Sequence, residues 1–132
     1  SCAATRRLIA RENAHGIPVD RIFLAGFSQG GAVAYTTALT YPEALAGIIA
    51  LSTYIPSPAL LAREASAANR AIPILAAHGI QDDVVSPALG RAARDFLTQH
   101  GYAVEWHEYP MPHSLCIEEV RLIGHWLRAR LA

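Results

Sequence analysis

Four short apolar runs, each followed by a segment with helical features, dominate the chain: 21–27, 46–53, 72–78 and 103–109. The first carries Ile22, Phe23, Leu24 and Ala25 in succession, and the second carries Ile48, Ile49 and Leu51. Runs of this length without polar alternation predict strands buried on both faces. The segments between them predict helices. Residues 29–41 are rich in Ala and stop at Pro42, because the residue before a proline disfavours helix. Ser57-Pro58 supplies a cap and a first-turn proline for a helix running to about Asn69. Ser86-Pro87 opens another, with Leu89, Ala92, Ala93, Phe96 and Leu97 on one stripe and Gly101 as its stop. Residues 1–14 place Ala4, Leu8, Ile9 and Ala14 among charged groups, with Gly16 behind, and residues 117–131 form a closing amphipathic helix. Strands alternating with helices imply an α/β fold with a parallel sheet of about four strands, flanked by helices on both faces. With no linker in view, 1–132 reads as one domain, or one contiguous part of a domain.

Charge and length narrow the function. Eleven basic and 11 acidic groups give a net charge of zero over 132 residues, so there is no basic stripe for nucleic acid or an anionic membrane. No apolar run approaches the roughly 18–20 residues that would span a bilayer. A domain of this size buries about two-thirds of its unfolded surface, so it needs no disulfide staple. Cys2 and Cys116 therefore read as free thiols, and no Cys or His spacing suggests a metal. The chain opens at Ser1 and its single Met is Met111, which suggests a processed front end or a piece of something longer. No signal-peptide pattern is present, so the expected compartment is cytoplasmic.

Parallel α/β sheets bind ligands at the carboxyl ends of their strands. The loop after the first run reads Gly26-Phe27-Ser28-Gln29-Gly30-Gly31, a G-x-S-x-G turn in its required strand-to-helix setting. Such a turn holds its serine in a strained conformation with the hydroxyl clear of the sheet. Gly26 and Gly30 are expected to avoid collisions with the neighbouring strand and helix, while the helix N-terminus offers N–H groups to an oxyanion. A serine nucleophile needs a base. His15, His100, His107 and His125 fall at helix ends, in a strand or inside a helix, and read as caps, surface groups or packed rings. His78 ends the third strand and competes, though structural hydrogen bonding is its simpler role. His113 follows the fourth strand in Tyr109-Pro110-Met111-Pro112-His113 and is the best placed. Asp82 and Asp83, after the third strand, are both available as the orienting acid. The order Ser, Asp, His is that of α/β-hydrolases.

These residues resemble the carboxylesterase, lysophospholipase and acyl-protein thioesterase family of α/β-hydrolases. The resemblance rests on Ala25-Gly26-Phe27-Ser28-Gln29-Gly30-Gly31-Ala32, on His78-Gly79 followed by Asp82, and on Tyr109-Pro110-Met111 leading to His113, with Glu118, Glu119 and Trp126-Leu127 beyond. It looks closest to small bacterial carboxylesterases. The resemblance implies Ser28 as nucleophile, Asp82 rather than Asp83 as acid, His113 as base and the Gln29 N–H as an oxyanion donor. It places residues 51–55, including Leu51, Ser52 and Thr53, near the acyl pocket. It also implies a preceding stretch of roughly 80 to 90 residues, several strand–helix units, carrying a second oxyanion donor. Without that stretch the first strand would present an apolar edge open to another chain, such as a second copy in a homodimer. The expected function is hydrolysis of small carboxylic esters without metal or organic cofactor. Thioester or lysophospholipid cleavage, or a weakly active or inactive fragment that associates through its strand edge, are the alternatives.

Overall fold

The computed structural model describes residues 2–131; Ser1 and Ala132, which the expected domain includes, lie outside them. Four parallel strands form one sheet in the order β1-β2-β3-β4: β1 Phe23–Phe27, β2 Gly47–Leu51, β3 Ile74–Gly79 and β4 Val104–Tyr109. Among the described residues, five α-helices surround it: α1 Cys2–Ala14, α2 Gln29–Thr40, α3 Pro58–Glu64, α4 Pro87–Gln99 and α5 Ile117–Leu131. Sequential strand order with right-handed crossovers puts the connecting helices on one face. Ile48, Ala50 and Ile74 accordingly pack with Ile9 of α1, Tyr35 and Leu39 of α2, Leu61 of α3 and Leu97 of α4. The alternate residues Ile49, Leu51, Leu75 and Ala77 pack on the other face against Trp126 of α5. Burying each of the large aliphatic side chains stabilises the fold by about 1.5–3 kcal/mol.

The expected strands exist but are shorter at their starts, and one expected helix breaks. The stretch from Pro58 to Asn69 divides into α3, ending at Glu64, and a 3-10 turn over Ala67–Asn69. The break serves the α2–β2 connection. Ser66 N donates to Leu39 O at 2.7 Å, and the buried Asn69 side chain accepts from Leu45 N while donating to Tyr41 O and Glu43 O. A continuous helix would carry these groups away from that loop.

The sheet's two edges differ in chemistry. β4 carries Glu105, His107 and Glu108, and Arg91 of α4 grips Glu108 through Nε and Nη2 at 3.0 and 2.7 Å. β1, Phe-Leu-Ala-Gly-Phe, has no charge at all and borders a groove lined on the α1 side by Leu8, Ile9 and Glu12. Charged groups discourage edge pairing and apolar ones invite it, so of the two edges of the described sheet β1 is the one whose chemistry favours pairing.

Glu119 is fully buried on the inner side of α5, and neither carboxyl oxygen has a partner among the described residues. Burial pushes its carboxyl up to about 7. The protonated acid is thus favoured by folding, and the stability that goes with it is complete below the ordinary Glu pKa of about 4.3 and lost as the pH rises toward neutrality. Glu119→Gln, measured by thermal unfolding, is expected to stabilise the protein at pH 8 by on the order of 3 kcal/mol and to change it little at pH 4.5. Equal gains at both pH values would contradict the linkage.

Candidate active site

β1 ends at Phe27 and α2 begins at Gln29, leaving Ser28 to make the whole turn. Its backbone sits at φ 57, ψ −122, a conformation that favours glycine and costs other residues about 1–3 kcal/mol. Surrounding contacts hold it there. Ser28 N donates to Leu51 O at 2.9 Å, and Ser28 O accepts from Gly31 N, Ala32 N and, at 2.5 Å, Thr53 Oγ1. A Cβ on Gly26 would collide with the Gly30 backbone, and one on Gly31 would collide with the Thr53 side chain. A Cβ on Gly30 would meet open space. The tight pair is therefore Gly26 and Gly31 rather than the expected Gly26 and Gly30, because the side of α2 facing the sheet is one residue further on. The first intrahelical donors to Ser28 O are Gly31 and Ala32, so the preceding N–H groups of Gln29 and Gly30 belong to the helix's unpaired first turn.

His113 stands after β4 in a loop laid across the end of β3. Gly79 makes this possible, since a Cβ there would strike the carbonyls of Met111 and Pro112. Ile80 N and Gln81 N donate to Tyr109 O and Met111 O, binding the two loops together. The His113 ring lies 4.7 Å, centroid to centroid, from the ring of Phe27, the residue before Ser28. Its Nδ1–H donates to Asp82 Oδ2 at 2.7 Å. The other oxygen, Oδ1, accepts from Val84 N and Val85 N at 2.9 and 2.8 Å. Burial alone would push the Asp82 carboxyl up; the His113 hydrogen bond, the N–H groups of Val85 and Val84 and the charge of His113 outweigh it and hold the carboxyl below its ordinary value. Asp83, one residue on, is exposed. Nδ1 of His113 being occupied, Nε2 is the nitrogen left for proton transfer. No hydrogen bond joins Ser28 Oγ to His113 among the described residues, whereas Asp82 and His113 are already paired.

Residues Leu51, Ser52 and Thr53 are buried beneath the elbow. Leu51 and Thr53 clamp the Ser28 backbone, and Ser52 itself has a positive φ of 51. The cavity lining begins one residue later. An apolar cleft of about 370 Å³ is bounded by Tyr54, Ile55 and Pro58 on one side and Leu89 and Phe96 of α4 on the other. Tyr54 and Pro56 also border a hollow of about 220 Å³ shared with Gln29. Leu89, expected in the core stripe of α4, is half exposed because it faces this cleft. The elbow-bracing roles of Thr53 and Gly31 carry no local pattern in the sequence; they arise from contacts across 22 or more positions. Both cysteines are free, as expected. Among the described residues, no three His, Cys, Asp or Glu gather where a metal could be held, and no helix is long and apolar enough to cross a membrane.

Comparison with known proteins supplies the lineage. An acyl-protein thioesterase 1 of Neurospora crassa is 45% identical over 135 aligned residues, covering 94% of this chain and 52% of that protein. A probable carboxylesterase of Oryza sativa subsp. japonica is 38% identical over 94% of this chain and 47% of its own length. The crystal structure of Arabidopsis thaliana SOBER1 superposes with a TM-score of 0.93 at 32% identity, covering 99% of this chain and 63% of that one. The chain thus spans about half the length of these curated relatives. They are fungal and plant proteins, and the expected nearness to small bacterial carboxylesterases finds no support in them. The family profile described as phospholipase/carboxylesterase matches residues 1–131, and with the α/β-hydrolase sheet, the serine elbow and the Asp82–His113 pair already in place, the chain belongs to that family.

Proposed function

We propose that this chain carries the catalytic residues of a serine hydrolase that cleaves carboxylic esters through an acyl-enzyme. The observation that carries the proposal is the pairing of a strained Ser28 elbow with a His113 whose Nδ1 is committed to a buried carboxylate. In this reading Ser28 Oγ attacks the acyl carbonyl and His113 Nε2 takes the hydroxyl proton. Asp82 fixes the imidazole tautomer and stabilises its charged form. The oxygen of the tetrahedral intermediate accepts from the Gln29 N–H at the start of α2, where the helix dipole favours negative charge. His113 then protonates the leaving alkoxide, and water activated by the same nitrogen releases the acid. The hollow that Tyr54 and Pro56 share with Gln29, the residue after Ser28, suits the acyl chain of such a substrate.

A second reading keeps this site and changes the bond. The 45% identical Neurospora protein is named an acyl-protein thioesterase, and thioesters are acyl donors to the same nucleophile. A fluorophosphonate probe, with the adduct located by mass spectrometry, tests the common mechanism. Modification of Ser28 is expected; modification at another residue instead refutes the assignment. Comparing kcat/KM on matched oxygen esters, acyl-cysteine peptides and lysolipids then separates the substrates.

A further inference from the structure

His78 is the residue next to this site whose placement is unexplained by packing alone. It is a histidine on the buried end of β3, 1% exposed, where an apolar residue would fill the same space. Its Nε2 lies 2.8 Å from Val85 O and 3.4 Å from Asp82 Oδ2. Both are acceptors, so Nε2 carries the ring proton. The ring is wedged from the opposite side. A Cβ on Gly90 would run into its Nδ1, Trp106 lies at a centroid distance of 6.3 Å, and Nδ1 has no hydrogen-bond partner among the described residues.

The consequence lies in what Val85 does next. Val85 N donates to Asp82 Oδ1, so the residue that His78 holds by its carbonyl is one that holds the carboxylate by its N–H. The same ring edge also presents its N–H toward Oδ2, the oxygen that receives His113 Nδ1–H. We propose that His78 is a positioning residue: its Nε2–H fixes the 82–85 loop and the rotation of the Asp82 carboxylate, so that Oδ2 is aimed at His113. The proposal rests on the reading of Asp82 and His113 as the working pair. His78 itself touches no reacting atom.

The test uses the protein as its natural gene encodes it, with three variants. His78→Phe keeps a flat aromatic ring, somewhat larger, and removes the donor, His78→Gln keeps a donor, and Gly90→Ala retains the imidazole but pushes it off its seat. In His78→Phe, kcat is expected to fall about 10- to 100-fold with KM within about twofold, the scale of a misplaced catalytic group. The downfield proton resonance of His113 Nδ1–H should move or broaden. His78→Gln should recover most of both, and Gly90→Ala should reproduce the loss. A folded His78→Phe with wild-type kcat and an unchanged His113 resonance overturns the proposal. If His78→Phe does not fold, Gly90→Ala with wild-type kcat and resonance overturns it. Absence of the resonance from the wild-type protein, or failure of the probe to modify Ser28, overturns the underlying catalytic reading as well, which separates the two failures.

Discussion

Asp82→Asn is expected to lower kcat by about 10⁴-fold, while Asp83→Asn leaves it within about twofold of wild type, as substitutions at exposed positions away from special features usually do. The asymmetry follows from which atoms each carboxylate touches. Asp82 Oδ1 accepts two backbone N–H groups, from Val84 and Val85. An asparagine keeps those bonds only by placing its carbonyl oxygen there, which turns its NH₂ toward His113 Nδ1. Two donors cannot face each other, so the imidazole must give up its Nδ1 proton and carry it on Nε2 instead. That tautomer cannot accept the Ser28 proton. The rotation also sets the new NH₂ toward the Nε2 edge of His78, so no rotamer of the substituted amide satisfies both sides. Asp83 is exposed and takes no part in this arrangement. Steady-state kinetics on the two variants checks the assignment, and the reverse ranking would show that the wrong carboxylate had been chosen. Stability follows with a definite sign. Because the Asp82 carboxyl lies below its ordinary value, its contribution is in force above the ordinary carboxylate range and is lost as the pH falls through the lowered pKa. The acid side of the stability profile should therefore be flatter in Asp82→Asn.

Ser28 and His113, the proposed nucleophile and base, stand out in the sequence because each sits in a loop at the carboxyl end of a recognisable strand, and parallel sheets put their chemistry there. The proposed acid stands out in the sequence only as a neighbourhood. Residue type and position left Asp82 and Asp83 equal, and family resemblance favoured Asp82; in the structure it is Asp82 that pairs with His113. What escaped the sequence has one physical origin, contact between segments far apart in the chain. The break after Glu64 exists because Ser66 N reaches Leu39 O, 27 positions back. The need for a glycine at 31 rather than 30 exists because Thr53 fills that space. Local periodicity reports which face of an element is apolar, not what stands opposite each position on it. The same limit explains Leu89, which has the right spacing for the core stripe of α4 and instead lines the cleft.

Replacing Ser28 separates chemistry from strain. Ser28→Ala and Ser28→Gly both remove the hydroxyl proposed as the nucleophile, and each is expected to reduce turnover by about 10⁶-fold, to the level left by binding and oxyanion stabilisation. Their stabilities should part. The backbone at φ 57, ψ −122 lies where a Cβ crowds the adjoining peptide groups, at a cost of about 1–3 kcal/mol for a non-glycine residue. Alanine keeps its Cβ and keeps that strain. Glycine relieves it, less the roughly 0.5–1 kcal/mol that its freer unfolded chain costs, for a net gain of about 1 kcal/mol over Ser28→Ala. Nothing else in the elbow should change, since the bonds from Ser28 N to Leu51 O and from Thr53 Oγ1 to Ser28 O involve only the main chain of residue 28. Equilibrium denaturation of the two variants measures the difference directly. Equal stabilities would mean that the turn is relaxed and the hydroxyl is presented without stored strain. A more stable Ser28→Gly would show that folding energy is given up at this residue to hold an oxygen clear of the sheet, which is the condition under which His113 can reach it.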